Sequence, residues 1–376
     1  MALERFRVNI FQNRIPDYRV PFFLELIRNS YTQNIGVKIY ISSRPYQNRG
    51  DEAAKFVPHF VIRTLSLRMK KLSFDVFFPK LKMLDADLYV VEFGVRNIFQ
   101  ILFLKILGKG ELAFWGHGRE RSRNFNKFEN ILRTRILSLA DYFFVYTESG
   151  KEYLVESDSF VKERIFVVNN STDTRLITSA KLTSFEDPPS SLPLSFSDQN
   201  CVTVAAIASL EKSKKIDVVL EIHNRMREEI YNFQTLICGD GPERENLERI
   251  STEGVFFLGR VSPSELAQIS KIIVAIVSPG PVGLVVTDSF AMGTPIITSA
   301  SQNHGPEFSY LINNVNGLIV PDLPNMYVEA ITRMIWDTNL KNSLQLGLAK
   351  SVQDYNIDIM VSNYLSGIKV IYENQL

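Results

Sequence analysis

The sequence predicts an α/β protein made of two Rossmann-like, doubly wound parallel-sheet domains facing across a cleft. Its 376 residues exceed one ordinary domain and suit two of about 150–200 residues each. Short β-branched apolar runs alternate with amphipathic segments along the whole chain, the pattern of parallel strands joined by helices. Residues 183–199 (TSFEDPPSSLPLSFSDQ) break that pattern, being rich in Ser and Pro and lacking helical period.

In the first half, strands are expected over 7–11, 37–42, 87–93, 112–115, 142–146 and 164–168. In the second, they are expected over 202–206, 233–238, 255–258, 272–277, 295–298 and 318–320. Many of these runs are apolar throughout, as strands buried on both sheet faces must be. The stretches 217–227, 244–250 and 262–270 carry the apolar spacing of helices. The expected domains are residues 1–182 and 200–355, joined by the 183–199 linker. Each sheet should bind ligand at the carboxyl ends of its strands.

Composition narrows the class. Hydrophobic residues make up 45% and charged residues 22%, which describes a core-forming chain. Cys201 and Cys238 both lie in apolar runs and read as buried thiols; two cysteines make no disulfide framework or metal pattern. The opening MALERFRVNI has charges where a secretory signal needs an apolar stretch. The longest greasy run, 97–107, is too short to span a bilayer and contains Lys105. A cytoplasmic protein is expected, soluble or peripheral at the inner face of the membrane.

The net charge of +1 conceals an asymmetry. Up to Ser190, 29 Lys and Arg stand against 21 Asp and Glu; from Ser191 on, 13 stand against 20. Basic residues are densest over 105–135, with eight against three acidic ones and apolar residues interleaved. Such a surface suits anionic lipid, each charge adding ~1 kcal/mol; a solvated helix face is the plainer reading. Nucleic acid is not an expected partner, since no binding motif is present and the overall charge is near zero.

The strongest chemical signal is the run from Ser278 to Ser299, SPGPVGLVVTDSFAMGTPIITS. A strand ends, a Gly/Pro loop follows, and a helix begins near Gly283. Amides at a helix start carry about half a positive charge and hold phosphate oxygens. Gly283 allows close backbone approach. Asp288, about one turn into the helix, can accept hydrogen bonds from sugar hydroxyls.

GLVVTDSFAMGTPIITS resembles the hallmark of the retaining glycosyltransferases of family 4, which have the GT-B fold. That hallmark has a Glu, seven residues and a second Glu, then Gly-x-Pro. Asp288 matches the second acidic position, which the resemblance assigns to the ribose of the nucleotide. Gly280 occupies the first, where the family's Glu contacts the donor sugar. Further segments resemble the family in the same order. Cys238-Gly239-Asp240-Gly241-Pro242 resembles its Gly-Asp-Gly-Pro turn, and 255–261 its strand beside the base, with Arg260 there. Lys214-Lys215-Ile216-Asp217 resembles its diphosphate-binding Lys element, although Ala208-Ser209-Leu210 stands where Gly-Arg-Leu is usual. His304-Gly305-Pro306-Glu307 resembles a later loop in which Glu closes over the site. The first half matches more loosely: His117 aligns with a His facing the donor sugar, and Asn170–Asp173 with the turn closing the first domain. Residues 356–376 are expected to form a terminal helix crossing back to the first domain.

The resemblance implies a nucleotide-sugar donor, a saccharide or lipid-linked acceptor, a metal-independent reaction with retention, and a place in bacterial surface-polysaccharide synthesis. It implies the diphosphate on the Gly283 and Leu284 backbone with Lys214 and Lys215. Gly239, Arg260 and Asp288 would complete the donor site. His117 and Glu307 would be the catalytic pair, and Arg19 and Arg119 would lie on the acceptor side. Two alternatives remain: a non-catalytic homologue acting as a partner subunit, consistent with the missing Glu and Arg, and a non-hydrolysing sugar-nucleotide epimerase. An NAD enzyme is not expected, because no Gly-x-Gly-x-x-Gly follows the first strand.

Overall fold

The computed structural model describes residues 6–43, 52–69, 72–78, 80–118, 127–157, 160–182 and 201–376. It divides into two compact units, Met1–Thr172 with Ile357–Leu376, and Asp173–Asn356.

The first unit is a parallel sheet wrapped by helices. Its strands and helices, in chain order, are β1 (Phe6–Gln12), α1 (Val20–Thr32), β2 (Ile35–Ser42), β3 (Phe60–Ile62), β4 (Thr64–Met69), β5 (Leu72–Phe77) and β6 (Leu88–Glu92). Then come α2 (Ile98–Leu107), β7 (Glu111–Gly116), α3 (Lys127–Leu137), β8 (Tyr142–Val145), α4 (Glu148–Glu156) and β9 (Ile165–Val167). The seven-stranded sheet runs β3-β2-β1-β6-β7-β8-β9; β4 and β5 form a separate antiparallel pair. Strand order reverses beside β1, so the crevice between the carboxyl ends of β1 and β6 is the natural ligand position. Both faces are covered. Val8 and Ile10 join a core beneath α1, while Phe11 and Val91 join one beneath α2. Each fully buried large apolar side chain contributes about 1.5–3 kcal/mol.

The second unit begins with α5 (Arg175–Leu182) and β10 (Val202–Ile207). It continues with α6 (Ile216–Glu229), β11 (Phe233–Cys238), α7 (Arg244–Ile250), β12 (Val255–Gly259), α8 (Pro263–Ile269), β13 (Ala275–Ser278), α9 (Val285–Met292) and β14 (Ile296–Ser299). It ends with β15 (Gly317–Val320), α10 (Pro324–Trp336) and α11 (Thr338–Asp354). Its six strands, all parallel, run β12-β11-β10-β13-β14-β15, again with a switch point, between β10 and β13.

Every expected strand has a counterpart, and α7 spans the expected residues. Strands β3 to β5 were not expected. The first domain was expected to run to residue 182, yet α5 packs on the second unit. Ile177 is buried in the core that holds Leu266 and Phe290, and Lys181 Nζ donates to the Met292 carbonyl at the end of α9 (2.7 Å). The linker expected over 183–199 lies outside the described residues. The last helix, α12 (Ile357–Glu373), belongs to the first unit and packs on α1 and β9. Of the two thiols, Cys238 is buried and its pKa is pushed up to about 12 by desolvation first, while Cys201 is half-buried. Among the described residues, no helix is long and apolar enough to cross a membrane.

Candidate active site

In the second unit, the loops after β10 and β13 meet at the switch point. Lys214, after β10, donates its ammonium to the Pro281 carbonyl (2.7 Å), in the loop between β13 and α9. Burial lowers its pKa and the nearby Glu211 opposes that shift. The contact is backbone-tight: a Cβ on Gly280 would lie 2.6 Å from the Lys214 backbone. That explains the departure at position 280, since no Glu fits where the preceding loop's main chain already sits.

Beyond Gly280 the chain turns into α9 through Gly283 and Leu284; Leu284 has helical dihedrals, and its carbonyl accepts from Thr287 N (2.9 Å) and Asp288 N (3.2 Å). Ahead of these bonded amides, those of Gly283, Leu284 and Val285 donate to no acceptor among the described residues, as is usual where a helix starts. Here they lie at the carboxyl edge of the sheet, the place for an anion. Asp288 lies in the first turn and is half-buried.

The loop after β14 is clamped to this one. Val282 N donates to His304 Nδ1 (3.0 Å), and Gly305 N donates to the Val282 carbonyl (2.7 Å). With Nδ1 accepting, His304 Nε2 carries the proton and donates to the Ser299 carbonyl (2.5 Å); the ring stacks on Phe308 at 4.0 Å. His304 is thus a positioning residue that sequence reasoning left unassigned within its motif. The clamp carries Glu307, buried at 3% exposure, to Gly283: a Cβ there would be 3.7 Å from Glu307 Oε2. A carboxylate beside the start of a helix is favoured by the helix dipole. The structure therefore gathers Lys214, Gly283 and Glu307 around one loop.

The other residues expected on the donor side are placed differently. Lys215, in the left-handed region (φ 52°), commits its ammonium to Asp322 Oδ2 (2.7 Å), which also accepts from Gln302. Arg260 follows β12 and is exposed. Gly239 follows β11, where a Cβ would fall 1.8 Å from the Ala208 carbonyl oxygen, so only glycine lets the chain after β10 and after β11 come this close.

In the first unit, His117 follows β7. Its ring meets Tyr146 edge-on at 4.9 Å. Desolvation first and the Arg19 charge second push its pKa down to about 4, although part of the side chain stays open to solvent. The imidazole is neutral at pH 7 and offers one donor and one acceptor. Arg19 was expected to reach ligand or lie on the surface. Instead it is buried, donating to Asn170 Oδ1 (2.7 Å) and ringed by aromatic side chains. Arg119 lies outside the described residues. Sequence reasoning also passed over Glu92, at the end of β6 beside the first switch point. It accepts from Asn13 Nδ2 (2.9 Å), and desolvation raises its pKa. A lone acid closing the apolar strand LYVVE was the available signal.

Several known proteins are similar to this chain. Residues 201–337 match the family described as glycosyl transferases group 1. The matched residues all lie within the second unit. The lipopolysaccharide core biosynthesis glycosyltransferase LpsE of Rhizobium meliloti is 26% identical over 219 residues, covering 56% of this chain. The matched part spans 59% of that relative's own length. Among solved structures, a glycosyltransferase from Rickettsia africae superposes with a TM-score of 0.70 at 13% identity, over 98% of this chain and 99% of that one. Anabaena HepE, solved with UDP and glucose, superposes with a TM-score of 0.66 at 13% identity, over 97% of this chain and all of its own. The fold is GT-B.

Proposed function

We propose that this chain is a retaining, metal-independent glycosyltransferase. It moves a hexosyl group from a nucleotide-diphosphate donor to a saccharide or lipid-linked acceptor in cell-surface polysaccharide synthesis. One observation carries the reading: Lys214, the start of α9 and the Glu307 carboxylate converge on the loop at the switch point of the second sheet. The names of its relatives support it, one acting in lipopolysaccharide core synthesis and one solved with UDP and glucose.

In this reading the Gly283 and Leu284 amides at the start of α9 and the Lys214 ammonium face the diphosphate. They stabilise the negative charge that grows as the bond to the sugar breaks, and being fixed beforehand they need no reorganisation. Asp288 holds the ribose. Glu307 takes the sugar-contacting role that no side chain at position 280 can fill, and neutral His117 is the candidate catalytic group of the first unit. Gly239 shapes the donor loop and Arg260 lies at the base. Lys215 acts through Asp322, holding the loop that carries Lys214.

The deciding experiment is calorimetric titration of UDP and GDP. Asp288→Ala is expected to weaken binding of the preferred nucleotide at least tenfold, consistent with a lost hydrogen bond to a charged group at about 1.5–3 kcal/mol. Unchanged affinity in a folded variant refutes the site. Nucleotide binding without sugar transfer to any acceptor would identify a non-catalytic homologue instead.

A further inference from the structure

Arg19 carries a positive charge that the fold does not neutralise. It is 5% exposed, and no Asp or Glu among the described residues pairs with it. Its Nη1 donates to Asn170 Oδ1 (2.7 Å) and lies 3.6 Å from Met360 Sδ of α12. Its Nε and Nη2 have no hydrogen-bond partner among the described residues. Four rings surround the guanidinium, those of Tyr18, Phe22, Trp115 and Tyr146, at 5.2–5.9 Å. Rings attract a cation but accept no directed hydrogen bond of useful strength from it.

The same neighbourhood holds two more unpaired polar groups. Trp115 Nε1 and Tyr364 Oη are buried with no partner, and their rings lie 5.1 Å apart. Guanidinium and indole only donate. Donors therefore crowd a spot where the one side-chain oxygen bonded to Arg19 is an amide's. Buried polar groups are normally paired and buried charges compensated, so this cluster lacks an acceptor that carries negative charge.

Its position gives such an acceptor a route. Arg19 follows β1, Trp115 lies in β7 just before His117, Tyr146 follows β8 and Asn170 follows β9, all at the carboxyl edge of the first sheet. Tyr146 is half-buried and His117 is open to solvent, while the residues behind them are core.

We propose that Arg19, with the Trp115 and Tyr364 donors, receives an anionic oxygen group, phosphate or carboxylate, carried by the acceptor. This rests on the reading of the first unit as the acceptor side. It makes the acceptor a phosphorylated or acidic saccharide rather than a neutral one. Arg19 is then a specificity residue, and its aromatic ring strengthens each charge-assisted bond by excluding water.

The full-length chain offers its own reporter. It has two tryptophans, Trp115 and Trp336, and Trp336 is 74% exposed on α10. In Trp336→Phe protein, emission is followed while inorganic phosphate or glucuronate is added at constant ionic strength, with chloride as control. A saturable response to either anion is expected, absent with chloride. Arg19→Met should abolish it, and Arg19→Lys, which keeps charge but loses the fork, should weaken it by about tenfold. Tyr364→Phe keeps the ring, removes one donor, and serves where Arg19→Met does not fold; it should weaken the anion several-fold. No response to either anion, or responses unchanged in the Arg19 or Tyr364 variants, overturns the proposal. UDP alone evoking the response, with Asp288→Ala removing it, assigns the anion to the donor and also overturns it. Failure of the Asp288 titration, by contrast, sinks the glycosyltransferase reading and leaves the Trp115 result standing.

Discussion

Position 280 has no room for a side chain, and that single fact decides which carboxylates can stand at this loop. The Lys214 main chain lies where a Cβ would project, and Glu307 Oε2 stands 3.7 Å from where a Cβ on Gly283 would be. His117 makes a second argument at this scale. An isolated imidazole titrates near 6.5, but desolvation and the Arg19 charge bring His117 down to about 4. Both favour the neutral base, so acidification from pH 7 should not charge it until the pH approaches that value. NMR of the ring nitrogens should place its midpoint well below that of a free histidine. Arg19→Met removes the charge and should move the midpoint upward; a midpoint near 6.5 in the native chain would refute this account. The sequence made His117 and Glu307 visible because each sits in a short motif beside glycines. It could not reveal that Arg19 is caged, that His304 clamps two loops, or that Lys215 is spent on Asp322. Each depends on at least one partner from 22 to 151 positions away, which no local pattern encodes.

Elements were legible where burial on both faces leaves a continuous apolar run. LYVVE in β6 and YFFV in β8 can only be strands sealed between two helical layers. The three-residue edge strand β3 and the β4–β5 hairpin were missed because an edge position demands little apolar signal. The terminal helix illustrates a tighter constraint. Gly367 lies in the middle of α12, and a Cβ there would stand 2.6 Å from Phe144 Cε1 and 2.8 Å from Phe166 Cγ. Two effects oppose one another in Gly367→Ala. Helix propensity favours alanine by about 1 kcal/mol, while overpacking a close helix–sheet contact costs about 1–3 kcal/mol. Both rings belong to the packed first unit, Phe144 fully buried, so the clash should win. The variant should melt earlier than the native chain in differential scanning calorimetry, and should expose α12 to protease first. A raised melting temperature would show that the helix can shift without loss.

At the scale of the whole molecule, charge is the property most unevenly distributed. The chain up to Ser190 is strongly basic and the remainder strongly acidic, while the total is only +1. The basic stretch over 105–135 includes groups already engaged: Lys105 pairs with Asp141 at 2.9 Å, and Arg133 stacks over Phe93 at 5.1 Å. Lys109 and Arg135 remain exposed, and Ile106, Leu107 and Ile131 are exposed apolar neighbours in the same stretch. An anionic bilayer would attract the cations and take up the apolar side chains, each exposed cation adding ~1 kcal/mol at low ionic strength. Because such attraction is screened over about 10 Å at 0.1 M salt, the chain should sediment with vesicles containing phosphatidylglycerol at low salt, leave them as salt is raised, and ignore neutral phosphatidylcholine vesicles. Lys109→Glu combined with Arg135→Glu should lower vesicle binding without changing UDP affinity, since neither residue lies in the second unit. Failure to bind anionic vesicles at low salt would refute a membrane role for this surface.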